Sequence, residues 1–448
     1  MIRGLLAMFL LGIASGCLRP SHATVPQSVQ MDRILSNGLR VIAVRDPASP
    51  QIAVTLVVPT GGRADPIGKS GIAHLVEHFI FYSDRRPGSA TGALPLASQF
   101  GFIEDAETDY DYTRYTTSGP SGSLAPMLWF HSERLRLGPH LIDPKRLPIE
   151  IEGVANERRE RLDGSLYGRA SEQFMTLIYP QGHPYSRLVI GTEAELASLT
   201  ASDVLEFARE HFRPDGSALV IVGNFEKREL APLIDAYFVN ESHGRPARRN
   251  DVDIANTRFV PARRSVQISD GVPQPLAVVG WTVGPSTPVK DVVFGILAQG
   301  LSGGPSSVLR RRLVDADKVA SSVKCLYQRA LVDSIFFCQA VSSGAQPVDE
   351  VAKKLEIGIV GAIDDPSWFG SARNRFQLDL AEDVDRVTER SEEIALSLIY
   401  WGRPETLGEL AEVARRLDHG ALRETVRAAM PTSSPAILSV SSGLNHAP

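Results

Sequence analysis

Cysteine is scarce in this chain, with three in 448 residues, so a fold stapled by a disulfide framework is excluded and a hydrophobic core must do the holding. Long apolar runs are missing as well: no stretch after the N-terminus reaches the roughly eighteen uninterrupted residues that a membrane-crossing helix takes. Basic clusters stop at Arg310-Arg311-Arg312, and the formal net charge is -5. Nothing in that balance argues for nucleic acid as a partner. What is present is 43% hydrophobic and 22% charged, an ordinary globular composition at a length that suits two or three domains.

The N-terminus departs from the rest. Met1-Ile2-Arg3 precedes an apolar segment from Leu5 to Ile13, too short to span a bilayer and of the right length for the core of a secretory signal. Residues 1–23 are therefore read as a signal peptide, and a periplasmic location is expected. Two processing sites compete. Ile13-Ala14-Ser15-Gly16-Cys17 has the form of a bacterial lipobox, which would leave a lipid tether on Cys17, whereas Ser21-His22-Ala23 suits an ordinary signal peptidase. In the mature body, Cys325 and Cys338 fall in two alternating runs that could form a hairpin with both thiols on one face. A cross-strand disulfide and two independent buried thiols both fit that pattern.

The stretch that organises the chain is Gly71-Ile72-Ala73-His74-Leu75-Val76-Glu77-His78-Phe79-Ile80-Phe81. In a helix, His74 and His78 stack one turn apart with Glu77 beside them. Ile72, Leu75, Val76 and Phe79 cover the remaining surface, so the helix should be buried, and two buried imidazoles are costly unless something satisfies them. The bland reading is a pair of core histidines with hydrogen-bonded rings. The sharper one is a zinc site, since H-x-x-E-H arises by chance roughly once in a hundred chains of this make-up and is a zinc-peptidase signature. Pro148 to Arg161 reads as a charge-rich helix on which Glu150 and Glu157 share a face with Val154 between them. Such helices are usually just solvated, yet one of these carboxylates could supply the third ligand a catalytic zinc requires.

Around these two helices the pattern alternates strands and helices. Asn37-Gly38 between apolar runs predicts a hairpin, Gln51 to Pro59 a strand, Ser70 a candidate N-cap for the histidine helix, and Thr113 to Thr117 another strand. A helix is expected from about Ser123 to Leu137, a capped helix from Thr200 to His211, and a strand from Ala218 to Val222. The segment 241–258 is polar with few large apolar residues and reads as a linker between domains at 30–240 and 259–445. The second half faintly repeats the order of the first but lacks the histidine triplet.

With these residues laid out, the chain resembles the pitrilysin, insulinase and mitochondrial-processing-peptidase family of inverted-motif zinc metallopeptidases. The likeness rests on Gly71 to His78, on Ala106-x-Thr108 with Thr113-x-Tyr115, and on Glu150 with Glu157. It extends through Ile190-Gly191-Thr192, Leu199-Thr200, His211-Phe212-Arg213-Pro214 and Val220-Ile221-Val222-Gly223-Asn224. The resemblance implies an α+β fold of two homologous domains, each a mostly antiparallel sheet packed with helices, forming half of a clamshell chamber. It implies that His74, His78 and Glu157 ligate one Zn2+ per chain, that Glu77 is the general base, and that Glu150 is the supporting catalytic acid. Asp105, Ala106 and Glu107 would lie on an edge strand that pairs with substrate backbone. The expected function is a zinc-dependent endopeptidase acting on peptides or unfolded segments.

Two departures from the family stand out. Asp105 replaces a usual Asn, and Val314 and Ser321 fall where the second domain commonly offers Arg and Tyr to the peptide. They raise the alternative of a non-catalytic or partner-dependent peptide-binding subunit, paired in a homodimer or heterodimer with a homologous chain.

Overall fold

The computed structural model describes residues 29–81, 96–162, 164–239, 264–404, 407–431 and 434–443. The expected signal peptide at 1–23, with Cys17, and the expected linker at 241–258 lie outside the described residues.

The first sheet contains β1 (Val29–Ile34), β2 (Arg40–Arg45), β3 (Gln51–Val58), β4 (Ile103–Thr108), β5 (Thr113–Pro120) and β6 (Ala218–Gly223), in the order β1-β2-β6-β3-β5-β4. Only β2 and β6 run parallel; every other pair is antiparallel. The β1–β2 turn falls at Asn37-Gly38 as the dipeptide predicts: Gly38 sits at φ +88°, and the Asn37 side chain accepts the N–H of Leu39 at 3.1 Å. The second sheet contains β7 (Arg264–Asp270), β8 (Leu276–Gly284), β9 (Ala320–Gln328), β10 (Ser334–Ser342) and β11 (Ala436–Ser442), in the order β7-β11-β8-β10-β9. Its one parallel pair joins the first strand to the last, as β2 and β6 are joined once β1 is set aside. Apart from β1, the two sheets thus have one topology, the duplicated α+β architecture expected from the sequence.

Helices complete each half. The first carries α1 (Ile72–Phe81), α2 (Leu96–Phe100), α3 (Leu124–Leu137), α4 (Leu147–Leu162), α5 (Gly168–Ile178), α6 (Glu193–Ser198), α7 (Ala201–His211) and α8 (Lys227–Phe238). The second carries α9 (Pro288–Ser302), α10 (Val348–Ala362), α11 (Phe369–Asp385), α12 (Val387–Trp401), α13 (Leu407–Arg416) and α14 (His419–Ala429). Thr200 and Asp203 form the reciprocal capping box that starts α7.

One arrangement is not visible in the sequence. The two halves exchange helices: α12, from the second half, lays Val387, Ile394, Ala395 and Tyr400 on Ile42, Val44, Val57, Val220 and Val222 of the first sheet. In return, α5 lays Ala170, Phe174 and Ile178 on Leu276, Val278, Leu438 and Val440 of the second. Each sheet therefore completes its apolar covering with a helix from the other half, and burial of these side chains ties the halves together.

A polar knot fastens the same seam. The Asp111 carboxylate, almost fully buried, accepts from Arg63 Nε at 2.8 Å, from the Tyr185 hydroxyl at 2.7 Å and from the backbone N–H of Leu331 at 2.8 Å. The Tyr185 oxygen in turn accepts the N–H of Val332 at 3.0 Å. Further along β9–β10, Cys325 and Cys338 are register partners and form a disulfide with a Cα–Cα distance of 4.0 Å, which decides between the two readings of that pair.

Two measurements check this framework. Tyr185→Phe leaves a buried carboxylate and a backbone N–H short of a partner, so the urea midpoint should fall by the equivalent of about 1–3 kcal/mol with an unchanged slope. The intact mass of the unreduced protein should rise by a pair of hydrogens on reduction under denaturing conditions.

Candidate metal centre

The site is built from α1 outward. Residues Ile72 to Ile80 are all buried, and the helix is packed beneath α4 and beside β4, β5 and α7. Ser70, the candidate N-cap, gives its hydroxyl to Glu195 instead. The cap is Asp65, which accepts from the N–H of Gly71 at 2.7 Å and of Ala73 at 3.1 Å and so satisfies the orphan donors of the first turn. The signal for it, an acid seven residues ahead of the helix, is too distant for the usual capping rules.

On α1 the rings of His74 and His78 meet edge to face, with centroids 4.8 Å apart. From α4, Glu157 reaches between them: its Oε2 lies 3.3 Å from His78 Nε2 and 3.6 Å from His74 Nε2. Two ligands on a tetrahedral zinc with bonds of about 2.1 Å stand roughly 3.4 Å apart. Both observed separations fit that edge, and the donor set of two imidazoles and a carboxylate suits the ion. Among the described residues, His74, His78 and Glu157 are the group of three whose donor atoms could share a metal, all within 4.8 Å of one another.

Electrostatics agree with the geometry. Burial, helped by the neighbouring His78 ring, pulls the His74 pKa down to about 4, so this imidazole is neutral near pH 7 and its lone pair is free for a metal. Burial raises Glu77 to about 7. Glu157 is pushed up by its partial burial, but the His78 and His74 rings and the Arg161 guanidinium hold it below the usual carboxylate value.

The remaining expected site residues are placed as follows. Glu77 Oε2 lies 3.8 Å from His74 Nε2 and accepts the Thr108 hydroxyl at 3.0 Å, a contact the sequence did not single out although Thr108 stands in the Ala106-x-Thr108 motif. Glu150 pairs with Arg146, and its Oε2 is 3.9 Å from His78 Nδ1, on the side of the ring away from Nε2. It stands behind the His78 ring rather than at the point where the donors converge. Asp105, Ala106 and Glu107 lie on β4, the outermost strand of its sheet. Ala106 packs toward the core of α1. Asp105 and Glu107 turn to the other face, where Arg114 holds them at 3.2 Å and 2.8 Å and also reaches Glu392 of α12 at 2.5 Å. In the second half, Val314 lies in a π-helical turn at Arg310–Ala316 and Ser321 on β9, its hydroxyl facing Gln274 and the Val341 carbonyl.

Two family models match the chain: "Insulinase (Peptidase family M16)" over residues 40–162, and "Peptidase M16 inactive domain" over residues 198–357. The chain belongs to the M16 peptidase family. The first M16 model ends at the last residue of α4 and so contains the whole donor cluster, while the second reaches into the half where none is found among the described residues. Among relatives, zinc protease PqqE of Helicobacter pylori is 28% identical over 362 residues, 79% of this chain and 78% of that protein. Cytochrome b-c1 complex subunit 1 of Caenorhabditis elegans mitochondria is 23% identical over 412 residues, 88% of this chain and 84% of that one. The crystal structure of a protease from Helicobacter pylori superposes with a TM-score of 0.78 at 20% identity, covering 92% of this chain and 99% of that one, and shows the same two-domain fold.

Metal analysis tests the cluster directly. Wild-type protein should bind zinc at one equivalent. Because loss of an outer-shell partner already weakens zinc sites about 10–100-fold, His74→Ala and Glu157→Ala should each weaken binding by more than roughly 100-fold, with Glu150→Gln costing less.

Proposed function

We propose that this chain is a zinc-dependent endopeptidase that hydrolyses peptides or unfolded protein segments, and the observation that carries the proposal is the convergence of His74, His78 and Glu157 beside the buried carboxylate of Glu77. His74, His78 and Glu157 would hold the ion. A bound zinc supplies Lewis acidity at the scissile carbonyl and lowers the pKa of water at the site toward neutrality.

The chain's own residues do the rest. Glu77 takes a proton from the attacking water and delivers it to the leaving amine, a general base that becomes a general acid without ligating the metal. Its position, one residue from one ligand and three from the other, keeps it at hand for both transfers. The peptide adds as a strand to the open edge of β4, so Asp105, Ala106 and Glu107 offer backbone donors and acceptors, and side-chain preference comes from whatever flanks them. Glu150 steadies His78 from behind.

A homologous second subunit closes the chamber in this reading. Val314 and Ser321 support it, because neither offers the charge or the ring with which the second domain would grip a peptide, and so does the similarity, along most of the chain, to a subunit of the cytochrome b-c1 complex. Export to the periplasm is part of the same proposal: a structural neighbour at TM-score 0.70 and 17% identity is the first half of the periplasmic protease PqqL of Escherichia coli, and no described helix is long and apolar enough to cross a membrane.

Glu77→Gln tests the assignment. It should lower the turnover of a quenched fluorogenic peptide by about 10²–10⁴-fold while zinc stays stoichiometric. Loss of the metal together with the activity would make Glu77 a ligand and overturn its role.

A further inference from the structure

Thr108 ends β4 and faces Thr113, its register partner on β5. Its hydroxyl donates to Glu77 Oε2 at 3.0 Å and lies 3.2 Å from Thr113 Oγ1. Thr113, fully buried, donates its own proton to the carbonyl of Thr60 at 2.9 Å, so it meets Thr108 with a lone pair and nothing else. The Thr108 hydroxyl thus has one proton and two acceptors, and rotation about its C–O bond chooses between them.

That choice matches the two states through which a general base passes. While Glu77 is a carboxylate, Thr108 donates to it and occupies one of its lone-pair directions, leaving others for the incoming water. Once Glu77 carries the water's proton, Thr108 turns to Thr113, and its freed lone pair accepts from the Glu77 carboxyl or leaves that proton to the amine. A hydroxyl can reverse in this way; an N–H donor cannot. The proton on Thr108 never leaves its oxygen, and the transferred proton passes from water to Glu77 to the leaving amine, so the balance closes.

We infer that Thr108 is a positioning residue for hydrolysis, a swivelling hydroxyl that keeps Glu77 in one rotamer before and after proton uptake. The inference rests on the proposed role of Glu77. The hairpin holds the swivel steady: the loop between β4 and β5 closes with the Asp109 N–H donating to the Tyr112 carbonyl at 2.9 Å, and Asp111 within it is clamped by Arg63, Tyr185 and Leu331.

Steady-state kinetics with a quenched fluorogenic peptide, alongside zinc content, separate this role from simple packing. Thr108→Val keeps the shape and removes the hydroxyl. Its kcat should fall on the order of 10–100-fold, with KM within about twofold of wild type and zinc unchanged, while Thr108→Ser should recover to within about threefold. If Thr108→Val fails to fold, shown by lost zinc and altered circular dichroism, Thr108→Ala takes its place with the same expectation. A hydroxyl-free variant that keeps wild-type kcat, or a Ser variant that loses as much as Val, overturns the inference. Wild-type protein without any activity dependent on Glu77 instead overturns the function proposed above.

Discussion

The structure depends on the loss of water from one face of α1. Two imidazoles and a carboxylate are taken out of solvent among Ile72, Leu75, Val76 and Phe79, and polar groups buried this way must find partners or change their charge state. Both happen here. His74 becomes neutral, Glu77 takes a hydroxyl from the sheet edge, and the Nε2 atoms turn toward a carboxylate that arrives from a different helix. Asp65 serves the same helix at its other exposed need, the unpaired N–H groups of the first turn.

Much of this was written in short-range spacing. The i, i+3 and i, i+4 placement of His74, Glu77 and His78 requires only that the segment be helical, and Glu150, Val154 and Glu157 follow from one helix face in the same way. Alternation around Cys325 and Cys338 narrowed the thiols to a shared face, and register then joined them. What could not be read depends on partners far apart in the chain. Ser70 looked like a cap because no local rule reveals that Glu195 takes its hydroxyl. Thr108 was visible as part of a motif, but its use is set by the approach of α1 to the edge strand. Asp111 gave no signal, since its partners come from residues 63, 185 and 331.

The two sheets share a strand order, yet they spend the same topological position differently. Where the first half follows β3 with α1 and its histidines, the second follows β8 with α9, which carries Asp291. That carboxylate accepts from Tyr327 at 2.7 Å and from Ser286 at 2.8 Å, and Arg329 beside it is held by both oxygens of Glu393 at 2.6 Å. Burial of charge is met there by ion pairing and hydroxyl donors, and no group of three converging donors is found there among the described residues. Among the described residues, the converging imidazoles and carboxylate belong to one copy of the shared frame.

The reciprocal placement of α5 and α12 gives the molecule a property that its backbone connectivity alone would not. Cutting the chain between residues 239 and 264 would separate the peptide but not the particle, because each fragment would still clasp the other with an arm of its own. Neither piece could be borrowed by another protein without leaving a bare sheet behind, so the half that holds His74, His78 and Glu157 is bound in inheritance to the half that does not.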